Sequence, residues 1–250
     1  MDDTEENGSL PEEEADATLT ARLADPDALV EARVSEELRK KFEFFSYKNA
    51  AVILAETHPQ EWSELLDALT NLSITTEMLT TAGGNESAIP KHVSSLLRPS
   101  NWHETVIRGD LVVKLLWKEQ VGVTKGGKVK FAKRESEQTR KGYLDGHKID
   151  YVKNRVAFDL EWNSKDQTFD RDLYAFNAFY QAGAIDAAVL LTRSRDLNDV
   201  FRDLGIAAKY GASTTWMGKL IYRLDAGRNG GCPVLAIGIK PDSITDWKKV

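Results

Sequence analysis

The run from Lys148 to Lys165 reads Lys-Ile-Asp-Tyr-Val-Lys-Asn-Arg-Val-Ala-Phe-Asp-Leu-Glu-Trp-Asn-Ser-Lys. In an extended chain alternate side chains share a face. Phe158, Leu160 and Trp162 therefore belong against a core, and Asp159, Glu161 and Asn163 line the opposite side. Ile149–Val152 and Val156–Asn163 flank Lys153-Asn154-Arg155, the pattern of two short strands in a hairpin. If Asp150 ends the first strand, its carboxylate meets those of Asp159 and Glu161 on the second.

The rest of the chain sets this hairpin in a mixed α/β context. Residues 1–17 are acidic, with Gly8 and Pro11, and read as a disordered tail. Residues 18–100 are mainly helical, with an amphipathic helix expected over Ala28–Lys41 and others after His58-Pro59 and over Ile89–Leu97, the last stopped by Pro99. Phe44–Glu56 fits either strand or helix. Residues 101–250 form the core region. There Thr105–Trp117 reads as a strand, Lys125–Lys128 as a turn, and Arg134–Lys141 as helix-compatible, broken by Gly142 and Gly146. Helices over Phe169–Gly183, Leu197–Leu204 and Thr214–Leu224 alternate with strands at Ala187–Leu191 and Pro233–Ile239. The expected fold class is α/β, a mixed sheet flanked by helices behind a helical N-terminal region.

Carboxylates gathered on one strand face repel and raise each other's pKa unless a cation joins them. Mg²⁺ prefers oxygen ligands, keeps several waters and polarises phosphates, so Asp-x8-Asp-x-Glu on adjoining strands suits a phosphodiesterase site. The plainer alternative is a surface hairpin with an ordinary polar face. Lys148, Lys153, Arg155 and Lys165 are candidate phosphate partners. His58, His92, His103 and His147 have no zinc-ligand spacing, and no phosphate-binding glycine loop or nucleophile elbow occurs. Trp62, Trp102 and Trp117 are assigned to packing.

These residues resemble a known pattern. Asp150 with Asp159-Leu-Glu161 is similar to the BglII and BamHI type of restriction endonuclease, within the PD-(D/E)xK nuclease superfamily. Lys209-Tyr-Gly-Ala-Ser-Thr-Thr-Trp216 and Gly230-Gly-Cys-Pro-Val-Leu235 also resemble segments of BglII-type enzymes. The resemblance spans about residues 100–240 and implies a restriction-endonuclease-like core. It implies Asp150 and Asp159 as metal ligands, and Glu161 in the slot that most of the superfamily fills with Lys. Two features depart from the superfamily pattern: Asp159 is shorter than the usual Glu, and no Lys follows two positions later. A second register would use Glu161 and Asn163 as the ends of the triplet. Glu135, with Glu137 behind it, is a candidate upstream acid, the alternative being a solvent-facing helical Glu. Asn163 and Lys165 are candidate supporting residues.

The net charge of −6 is misleading for a DNA binder, because residues 1–16 carry eight acids and no base. Without them the charges nearly balance, and Lys114–Arg155 holds twelve Lys/Arg against five Asp/Glu. Phosphate binding needs a basic face rather than a basic protein. Lys209, Ser213, Thr214 and Thr215 are candidate DNA contacts before a helix, unless Ser213 or Thr214 simply caps it. Arg193, Arg195, Lys219 and Arg223 are further candidates for a DNA cleft. The expectation is a type II restriction endonuclease acting on double-stranded DNA with Mg²⁺ and leaving 5′-phosphate ends. It would act as a homodimer, since cutting both strands of a palindrome calls for two-fold symmetry. A repair nuclease with the same site, or a non-catalytic DNA-binding module, are the alternatives. The lone Cys232, the acidic start and the lack of a long apolar run fit the cytoplasm, without signal peptide or membrane span.

Overall fold

A computed structural model describes residues 24–81, 87–211 and 213–248. The expected acidic tail and part of the Thr80–Glu86 loop lie outside them. The elements run α1 (Asp27–Glu31), α2 (Glu36–Lys41), β1 (Phe42–Tyr47), α3 (Ala50–Thr57), α4 (Pro59–Asn71), α5 (Thr76–Thr80) and α6 (Ala88–Leu97). There follow β2 (His103–Val123), β3 (Val129–Lys153), β4 (Val156–Leu160), α7 (Thr168–Gln181), β5 (Ala187–Arg193), α8 (Leu197–Asp203), α9 (Met217–Asp225) and β6 (Val234–Ile239).

The six strands form one sheet in the order β1-β6-β5-β4-β3-β2. β4, β5 and β6 run parallel, whereas β3 with β4 and β1 with β6 are antiparallel. The chain thus adopts the expected α/β class, a mixed sheet flanked by helices. Strands covered on both faces read as continuous apolar runs, and every residue of Ala-Ala-Val-Leu-Leu-Thr-Arg (β5) and Val-Leu-Ala-Ile-Gly-Ile (β6) is buried. Parallel neighbours need a crossover; α7 supplies it between β4 and β5, burying Phe169, Leu173, Phe176 and Phe179 at helical spacing. Val189, Leu191, Leu235 and Ile237 join Leu54, Leu65, Leu69 and Val93 of the early helices in one core. α9 packs on β6 and against α7.

Several local expectations are corrected. Ala28–Lys41 is two helices, because Ser35 caps a fresh start by accepting the Leu38 N–H at 3.3 Å. Phe44–Glu56 is strand and then helix. The helix after Thr214 begins at Met217 with Trp216 as its N-cap and no side-chain cap, so neither Ser213 nor Thr214 caps it. Arg134–Lys141 is strand, as cross-strand partners override local propensity; Arg134 meets Glu119 at 2.7 Å. Gly142 and Gly146 sit inside β3 at positive φ, the conformation used at bulges, rather than ending a helix.

The chain divides into two compact units, one of residues up to Thr105 and from Ile149 onward, the other Val106–Lys148. The second is a two-stranded ribbon turning at Thr124–Lys128, where Thr124 donates its N–H to Lys128 O at 2.7 Å. Arg108–Asp145 and Lys114–Glu137 pair across it. The ribbon exposes Val112, Leu115, Leu116, Trp117 and Phe131. The packing assignment therefore holds for the buried Trp62 and Trp102 but not for Trp117.

Candidate active site

β3 and β4 join through Lys153-Asn154-Arg155, with Asn154 at φ 49 making the turn. Their register pairs Tyr151 with Phe158, and one step further Asp150 donates its N–H to Oδ1 of Asp159 at 2.8 Å. Phe158 and Trp162 enter the core as their parity requires. β4 ends at Leu160, but Glu161 continues the pairing by donating its N–H to Leu191 O at 3.0 Å. The alternation stops there, because Asn163 adopts φ 57 and its Oδ1 is buried without a partner.

Asp159 is 5% exposed and Glu161 is also buried. Burial, then the charge of Asp150, raises the Asp159 pKa well above the carboxylate range; Glu161 adds to this, while the Asp150 N–H and Arg171 work against it. A third buried acid, Asp172 of α7, faces the same cluster. Burial, then the charges of Glu161 and Asp159, push its pKa up to about 9. Its Oδ2 finds no donor, which a proton held between it and Glu161 would resolve. Arg171 bridges the group: its Nη2 donates to Glu161 Oε1 at 3.2 Å and to Asp172 Oδ1 at 3.0 Å, and its Nε to Asp172 Oδ1 at 3.1 Å.

The two stretches singled out in the sequence meet here. Lys165 and Thr214 form an antiparallel bridge, Asp166 donates its N–H to Ser213 O, and Thr215 donates its N–H to Ser164 O. Thr215 is fully buried, and its hydroxyl donates to Glu161 O at 3.3 Å. It braces the acidic strand instead of facing a groove. Arg193 is likewise internal, stacked on Phe201 and donating to Asn198 Oδ1, Tyr210 O and Thr214 Oγ1. Lys209 donates to the carbonyls of Leu79 and Thr81 at 2.9 Å. Arg223 is buried beside Asp166 and Asp170, and Lys219 lies near Asp166. Lys153 is held by Glu64, and Arg155 by Asp186 and the Gly183 carbonyl, so both candidate phosphate partners are engaged within the protein. Glu135 is exposed on the ribbon strand β3, and neighbouring Glu137 is paired with Lys114; the helical alternative for Glu135 is corrected with its segment.

Sequence reasoning missed Arg171 and Asp172. The available signal was an acid on the buried face of α7, three residues after Phe169 and four before Phe176.

All the acids offer oxygen, the donor set of a hard divalent cation. Among the described residues no three such side chains already surround a single point as ligands. A surface hollow of about 610 Å³ lined by Asp196, Asp199, Lys240 and Trp247 contains none of these acids.

The family profile described as "Restriction endonuclease BglII/BglIII" matches residues 42–239, from β1 through β6. The chain belongs to that family. Membership makes this restriction endonuclease a DNA-cleaving hydrolase. No curated protein sequence matches the chain. The match takes in every strand of the sheet and all of Asp150, Asp159, Glu161, Arg171 and Asp172.

Proposed function

We propose that this enzyme is a type II, BglII- and BamHI-like member of the PD-(D/E)xK nucleases, hydrolysing double-stranded DNA at a specific site. The observation that carries the reading is the juxtaposition of Asp150, Asp159 and Glu161 at the β3–β4 joint of a BglII/BglIII-family chain. Asp150 and Asp159 would hold Mg²⁺, with Glu161 beside them. The cation would supply an acidified water and stabilise the leaving 3′ oxygen. Glu161 positions or deprotonates the attacking water, for which its backbone is fixed on both sides by Leu191 and Thr215. The products carry 5′-phosphate and 3′-hydroxyl ends.

Asn163 and Lys165 would have supporting roles beyond the end of the acidic strand, where Thr214 pairs with Lys165 and Ser213 with Asp166. The ribbon, with Lys125, Lys128 and Lys130 at its tip, contributes general phosphate attraction. Two copies, related by a two-fold axis, cut both strands of a palindrome. The proposed catalytic part is 101–250, with 18–100 lending β1 to its sheet. Among the described residues no helix is long and apolar enough to cross a membrane.

Incubation with plasmid DNA, with Mg²⁺ or with EDTA, tests this. Discrete bands that appear only with Mg²⁺ and religate directly support the reading. A preference for branched or damaged DNA would favour a repair nuclease, and Mg²⁺-indifferent binding without cutting a DNA-binding module.

A further inference from the structure

We propose that Arg171 is a positioning residue that fixes the Glu161 carboxylate for reaction, using buried Asp172 as its anchor. This rests on the assignment of Glu161 to the chemistry. Glu161 is held at three points: its N–H on Leu191 O, its carbonyl under the Thr215 hydroxyl, and its Oε1 on Arg171 Nη2. The first two fix the backbone. The third is a guanidinium bond to the carboxylate of a side chain with three rotatable torsions, and it acts beside buried Asp172, which faces the same carboxylate.

The bond is well built for orientation and poorly placed for stability. Arg171's side chain is 72% exposed, whereas those of Glu161 and Asp172 are 9% and 4% exposed. A guanidinium so open to water contributes little to folding. Its planar fork nevertheless puts Nε and Nη2 together on Asp172 Oδ1, and Nη2 reaches on to Glu161. Two contacts to a buried neighbour set the plane of the group, which an ammonium ion cannot do. Asp172 is adjacent in sequence, so the anchor and the arm move as one unit on α7. Loss of orientation at a reacting group commonly costs on the order of 10²-fold in rate.

Arg171→Ala and Arg171→Lys separate positioning from its rivals. Single-turnover cleavage at saturating DNA should fall about 10²-fold in the alanine variant. Lysine should recover little, and added guanidinium ion should partly restore the alanine variant. DNA affinity in Ca²⁺, its salt dependence and the unfolding midpoint should stay near wild type. An unchanged cleavage rate overturns the inference. So does weaker binding with a salt slope reduced by about one, which identifies a phosphate contact. Crystal structures of Arg171→Ala give a readout independent of cutting: Glu161 should leave its single rotamer, and a Glu161 that stays in place overturns the inference. A wild-type protein that fails to cut any DNA sinks the nuclease reading instead, and the Glu161 rotamer still decides the Arg171–Glu161 coupling.

Discussion

Asp159 and Leu116 both invert the usual distribution of polar and apolar groups, in opposite senses. Asp159 is a carboxylate 5% exposed among other carboxylates, and Leu116 is an aliphatic side chain 74% exposed on the ribbon. Burying unpaired acids costs stability, and exposing a row of apolar side chains invites association. The acidic corner rests on a sheet whose neighbours are packed on both sides. Phe158 and Leu191 lie beside Asp159 and Glu161 in the core, so the surrounding packing offsets the cost. The ribbon has no comparable interior: alternate residues of β2 are half-buried only as far as Val113, and the strand is open from Lys114 to Val121. Charge is therefore the sensitive variable in one region and surface chemistry in the other.

Four variants probe this contrast, in descending order of consequence. Phe158→Ala, which removes a buried ring stacked edge-on against Tyr151 at 5.7 Å, should cost about 3–5 kcal/mol in denaturant unfolding.

Asp172→Asn tests the acidic corner through pH. The folded carboxyl keeps its proton up to about pH 9, against 3.8 for the ordinary group. Below pH 3.8 both states are protonated and nothing is lost. Above it only the unfolded chain releases the proton, so wild-type stability falls as pH rises towards 9. The metal-free variant should thus gain on wild type between pH 6 and pH 8, by at most about 1.4 kcal/mol per pH unit. A gap that is flat with pH would contradict the shared-proton account.

Replacing Lys125, Lys128 and Lys130 by Gln should weaken DNA binding alike for cognate and random duplexes. The log–log salt slope should flatten by about 0.9 for each phosphate no longer neutralised, with the rate at saturating DNA unchanged. Leu116→Ala should alter the unfolding free energy by less than about 0.5 kcal/mol. A large loss there would mean that the ribbon is packed in solution.

The same contrast explains what could be read from the chain in advance. β5 and β6 were legible as continuous apolar runs buried on both faces, and α7 by the helical spacing of its buried residues; along β4 the alternation of Phe158, Leu160 and Trp162 marked Asp159 and Glu161 as neighbours on one face. The full length of β3 was not, since Arg134–Lys141 carries no apolar period and becomes strand only through partners such as Glu119. The internal partners of the cationic candidates were illegible for a related reason. Lys153 finds Glu64, Arg155 finds Asp186, and Lys209 finds the carbonyls of Leu79 and Thr81, all remote in sequence. Periodicity records which face is buried and says nothing about which distant charge will arrive. Thr215 illustrates the limit: its place in the fold lies beneath Glu161, and only the chain path between the two segments reveals it.

The central claim is that Asp159 serves cation-dependent chemistry at the β3–β4 joint, and Asp159→Asn tests it with almost no change of shape. With Mg²⁺ and plasmid DNA the variant should show no cutting under conditions where wild type goes to completion, while binding DNA in Ca²⁺ at least half as well. Cleavage by the variant at a rate close to wild type would contradict the account.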